Sequence, residues 1–101
     1  MYVVELLLPL YDNEGHRFAP CLHEKVRETL IEKFGGVTAF TRAPPRGTEQ
    51  AHGRQRHDDL IVFEVMTKQL DESWWKPYRE SLEATFKQDR LIVRAARVTL
   101  L

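Results

Sequence analysis

A chain of 101 residues, 43% hydrophobic and 30% charged, has the makeup of one small soluble domain spanning 1–101, which excludes a disordered chain and a membrane-embedded bundle. Fifteen basic residues balance fifteen acidic ones, so no global field draws the chain to nucleic acid or anionic lipid. The single cysteine, Cys21, has no partner for an internal disulfide.

The first apolar run, residues 2–8, is interrupted by Glu5 and stops at Pro9. It lacks a basic start and a small-residue cleavage site, and so predicts a strand and not a signal peptide. No window approaches the roughly 18–20 apolar residues of a membrane helix, and a cytoplasmic location is the expectation. Asp12, Asn13 and Gly15 mark a turn. Pro20 suits the first turn of a helix over 20–34, with Leu22, Val26, Leu30, Ile31 and Phe34 on one face and charges on the other. Gly35-Gly36 ends it and residues 37–42 read as a strand.

The stretch 43–57 has no period and holds two prolines and two glycines. It is expected to be a mobile connection between two hairpin strands, long enough to contact a partner subunit or a barrel mouth. Residues 60–67 form the next strand. A helix over 71–88 follows, capped by Asp71 or Ser73, with Trp74, Tyr78, Leu82 and Phe86 as its core stripe and Trp75 beside it. Pro77 must lie close to its first turn, or the helix kinks there. Residues 91–99 are the last strand.

The order β-α-β-β-α-β predicts an α+β fold: a ferredoxin-like sandwich with an antiparallel sheet in spatial order 4-1-3-2 and two helices on one face. Side chains alternate across a sheet, which divides each strand into two sets. Val4, Leu6 and Leu8, with Ile61, Phe63, Val65, Leu91, Val93 and Ala95, belong under the helices. The opposite set (Val3, Leu7, Val62, Met66, Ile92, Ala96) is also apolar but carries Glu5, Glu64 and Arg94. If Thr38, Phe40 and Arg42 share that face, Arg42 joins the group near Glu64. Glu5, Arg42, Glu64, Met66 and Arg94 are therefore the candidate ligand-binding residues. An apolar face of this size marks an interface or a groove, and two such sheets can pack face to face as a dimeric barrel. The charges then either fix dimer register or bind a ligand.

Other groupings carry less. His52, His57, Asp58 and Asp59 match no standard metal spacing, and neither a metal nor another cofactor is expected. The 42–57 stretch is locally basic, yet Tyr2, Phe40 and Phe63 do not form an RNA-recognition platform, so nucleic acid is not an expected partner. Cys21 reads as a small, partly buried thiol whose only local base is His23. Trp74 and Trp75 diverge by about 100° on a helix, one entering the core and the other lying at an edge.

Leu8-Pro9-Leu10, Asp12-Asn13, Gly15, Phe34-Gly35-Gly36-Val37-Thr38, Asp58-Asp59, Glu64-Val65, Trp74-Trp75, Tyr78-Arg79, Leu82-Glu83, Phe86 and Gln88 together resemble a group of small bacterial proteins without an assigned activity. That group looks like part of the ferredoxin-like, dimeric α+β barrel class. The resemblance implies the fold and a homodimer, and it carries over no catalytic set. The chain departs from the group at Gly47-Thr48-Glu49, where a tryptophan commonly follows the glycine. The expected function is a homodimeric barrel binding a small molecule, with Glu5 or Glu64 available as a metal-independent carboxylate base. The alternative is a non-catalytic module whose open face is only a dimer seam.

Overall fold

The computed structural model describes residues 1–42 and 59–101. The elements run β1 (Tyr2–Pro9), α1 (Pro20–Phe34), β2 (Thr38–Arg42), β3 (Leu60–Thr67), α2 (Glu72–Thr85) and β4 (Ile92–Arg97). The strands form one four-stranded sheet in the order β2-β3-β1-β4, every pairing antiparallel. The expectations for 43–57, and for His52, His57 and Asp58, fall outside the described residues. Among the described residues no helix is long and apolar enough to cross a membrane.

The core forms where the pleat of the sheet meets the apolar stripes of both helices. Val4, Leu6, Leu8, Phe63 and Val65 from one sheet face pack with Val26 and Leu30 of α1 and Trp75 and Leu82 of α2, closed by Phe86 and Leu91. Leu6, Leu8, Leu30 and Phe86 are completely buried. Removing a side chain the size of Phe86 costs about 3–5 kcal/mol, because the cavity left behind cannot fully collapse.

Local chemistry sets the element ends. Asp12 Oδ1 accepts the N–H groups of Glu14 and His16 at 2.9 and 2.8 Å, closing the turn before α1. Gly35 ends α1 at φ 86°, the left-handed conformation that a residue without Cβ adopts freely. Asp71 caps α2, accepting the Trp74 N–H at 3.3 Å and the Ser73 hydroxyl at 2.6 Å.

Helix α2 stops short of the expected residue 88. Lys87 takes φ 52°, the Lys87 N–H reaches the Ala84 carbonyl at 3.3 Å, and the Gln88 N–H reaches Glu83 at 2.9 Å. These two bonds make a Schellman closure, with lysine where glycine is usual. The α2 stripe also differs from expectation. Trp75, Leu82 and Phe86 are fully buried, while Trp74 and Tyr78 are half-buried at the seam with α1. The Trp74 ring lies against Phe34, Tyr78 and the Lys33 ammonium, and Trp75 stacks on Phe34 at 5.2 Å.

Position 23 follows the same buried stripe as Val26 and Leu30, three and seven residues on. His23 is buried and donates its Nε2–H to the Pro9 carbonyl at 2.9 Å, with its ring 5.0 Å from that of Phe86. Cys21, two residues away and on a different side of the helix, is exposed and not partly buried.

Burial holds the His23 imidazole below its ordinary pKa; the Pro9 carbonyl opposes this and Arg17 adds to it. The unfolded chain therefore binds the proton first on acidification. The stabilisation from neutral His23 is complete above about pH 6.5 and declines as pH falls through the folded value. Asp12 and Asp71 are lowered by hydrogen bonds to their carboxylates, from His16 and Ser73 respectively, so their contributions vanish only in a more acidic range. Urea midpoints should thus fall between neutral pH and pH ~5, and His23→Gln, which keeps a neutral donor, should flatten that slope. A wild-type midpoint constant across the range would contradict this.

Pro77 lies inside α2, beyond its first turn, where it cannot donate to the Ser73 carbonyl. Pro77→Ala should raise stability by about 1–3 kcal/mol, read as a higher thermal midpoint.

Candidate functional site

The sheet face opposite the helices carries the sequence-designated residues. Glu5 sits in the middle of β1, directly opposite Glu64 of β3 on one side and Arg94 of β4 on the other. Thr38 lies opposite Glu64 on β2, and Phe40 opposite Val62. Glu5, Glu64, Arg94, Thr38 and Phe40 therefore share one face, and Met66 follows Glu64 two residues along the same face.

Arg94 donates from Nε to Glu5 Oε1 at 2.9 Å, with the Glu5 side chain 24% and the Arg94 side chain 54% exposed. The pair is charge-assisted but wet, which limits its contribution to about 1 kcal/mol or less. Among the described residues Glu64 makes no ion pair or side-chain hydrogen bond. Like charges directly opposite on neighbouring strands repel, so Arg94 shields Glu5 from a neighbour that stays uncompensated. The three groups sum to one negative charge. A half-buried carboxylate in this position can accept a proton or a hydrogen bond from a molecule lying on the sheet.

Arg42 does not join this group. It pairs with Leu60, four residues along β3 from Glu64, a separation of about 13 Å at strand spacing. It shares the face but lies near its other end, lining a cleft with Leu7, Leu60, Ile92 and Arg90. Arg90 went unnoticed in the sequence because Gln88-Asp89-Arg90 reads as a turn. Its signal was the period of two: position 90, two residues before the start of β4, is in phase with Ile92 and Arg94.

On the helix side, a second cleft of about 170 Å³ separates α2 from β4 and is lined by Glu72, Trp75, Lys76 and Arg79 among others. Its charges answer one another: Lys76 reaches Glu72 at 3.3 Å and Arg79 reaches Glu83 at 3.7 Å. The Glu83 carboxylate also accepts the Leu91 N–H at 2.9 Å, tying α2 to the start of β4.

No family model matches the chain, and no curated protein or solved structure is significantly similar to it. What the structure supports is the small α+β fold itself: four antiparallel strands and two helices in the order β-α-β-β-α-β.

The Glu5–Glu64–Arg94 row makes a double-mutant prediction. Arg94→Ala should destabilise the protein by about 1 kcal/mol, through the lost pair and the exposed repulsion between the two carboxylates. Adding Glu64→Gln should recover part of that loss, a coupling readable in a urea-denaturation cycle. Strict additivity of the two changes would show that the carboxylates do not interact.

Proposed function

We propose that a second copy of this chain covers the open sheet face, giving a homodimeric α+β barrel whose lumen receives a small molecule beside Glu5, Glu64 and Arg94. One observation carries this reading. Phe40 at 43%, Met66 at 47% and Ile92 at 53% exposure are large apolar side chains, and all three lie on that face. Each comes from a different strand, so apolar exposure is spread across the face, with Val62 and Leu7 buried between Phe40 and Ile92. Patches of this kind on small proteins mark interfaces or grooves.

Within the lumen, Glu64 is the carboxylate that has no cation or donor among the described residues, and Arg94 orients Glu5. That arrangement supports proton abstraction by a carboxylate without a metal. A second reading, a dimer seam without a ligand, is favoured by the Glu5–Arg94 pair itself. The two charges satisfy each other within one chain and so leave less for a ligand to bind.

Sedimentation equilibrium at micromolar concentration should report a dimer. Phe40→Glu and Ile92→Glu should each weaken it at least about tenfold, since a charge would be buried against an apolar partner. A concentration-independent monomer would end the barrel reading. A dimer whose lumen is filled by its own side chains would leave only the seam.

A further inference from the structure

We propose that the cleft at the Arg42 end of the open face binds a small organic anion. Its apolar body would rest on Leu7, Leu60 and Ile92, and its charged head would be held by the guanidiniums of Arg42 and Arg90. The cleft has a volume of about 330 Å³, which falls in the range of small-molecule sites. All of its lining among the described residues comes from a single chain.

The charge balance of the cleft points to an anion. Its lining contains Arg42 and Arg90 and no carboxylate among the described residues. Arg27, Arg79 and Arg94 each have an acidic partner within 4.0 Å, whereas Arg42 and Arg90 have none among the described residues. Gln88 also lines the cleft, but its amide nitrogen is directed to the Phe86 carbonyl at 3.0 Å and Asn13 Oδ1 at 3.4 Å. The guanidiniums are therefore the donors left to meet an incoming oxygen.

The sheet places the two arginines on opposite sides of the apolar floor. Arg42 ends β2 and Arg90 precedes β4, the two edge strands, three interstrand steps or about 14 Å apart. Two arms of arginine length can close over Leu60 and Pro9 from both sides. Each guanidinium presents a planar fork that matches a carboxylate or a phosphate, and the floor supplies apolar area that a free inorganic ion could not use.

The test is a titration of the isotope-labelled full chain, followed by amide and arginine Nε–H shifts, with benzoate, phenyl phosphate and the neutral benzyl alcohol as probes. Benzoate or phenyl phosphate should shift Leu7, Leu60, Ile92 and Arg90 saturably, and the better of the two identifies the head group. Benzyl alcohol should shift them at least about tenfold less tightly. Arg42→Gln with Arg90→Gln should weaken the anion by about tenfold or more, and raising the salt should weaken it in the wild type. Both arginines are exposed, and among the described residues neither has an acidic partner, so the variant should melt like wild type, and Arg90→Lys should retain part of the binding. Equal response to the neutral probe, unchanged affinity in the double variant, or no saturation by either anion would overturn the proposal.

Discussion

The phase of β1 is the constraint on which the rest of the structure depends. This strand pairs with β3 on one side and β4 on the other, so its pleat sorts the side chains of the whole sheet. Val4, Leu6 and Leu8 go under the helices, and Val3, Glu5 and Leu7 go to the open face. A slip of one residue would drive Glu5 into the core and expose three of its most buried side chains, at a cost far beyond the stability of a small domain. The position of the carboxylates is therefore a consequence of core packing. Only the choice of Glu, Glu and Arg at those sites is left for another purpose.

The helix layer is tied to that strand by a polar contact as well as by burial. His23 bonds the carbonyl of Pro9 at the end of β1, and the rings of Phe18 and Phe86 pack against the imidazole and each other. α1 is thereby held near the end of the core where α2 finishes. The opposite end is aromatic: Phe34, Trp74, Trp75 and Tyr78 interlock between the two helices. Among the described residues the buried Trp75 Nε1 and Tyr78 hydroxyl make no hydrogen bond. Burial raises the Tyr78 pKa, eased by the nearby Thr29 hydroxyl, so the phenol stays neutral and contributes as an apolar body.

The legible and illegible parts of the fold divide along physical lines. Strand phase and helix 20–34 were readable because a period of two or 3.6 over several residues leaves few alternatives. The stripe of α2 was misassigned because two tryptophans, a tyrosine and a proline blur the periodicity, and only packing decides which indole goes in. The end of α2 was missed because a lysine occupies the left-handed position where glycine would have signalled a stop. His23 was passed over as a possible base for Cys21, although its spacing to Val26 and Leu30 already placed it on the buried stripe. For the site, the Glu5–Glu64–Arg94 row followed from strand order and alternation. The place of Arg42 did not, because the offset of β2 against β3 depends on the intervening segment, which carries no periodic pattern.

The two readings of the open face differ in what they demand of Glu64. Arg94 is committed to Glu5, and among the described residues no cation answers the second carboxylate. If a second copy closed the face into a dry seam, Glu64 would lose water without gaining a partner. Desolvating an unpaired carboxylate costs several kcal/mol, comparable to the gain from covering Phe40, Met66 and Ile92. A seam would then need a donor from the second copy opposite Glu64. A barrel avoids that demand, because its curved sheets meet at their edges and leave the middle of the face open to water or to a ligand that can donate a hydrogen bond. The lone carboxylate is thus easier to reconcile with a lumen than with a packed interface. The apolar side chains around it supply the driving force for closure in either case.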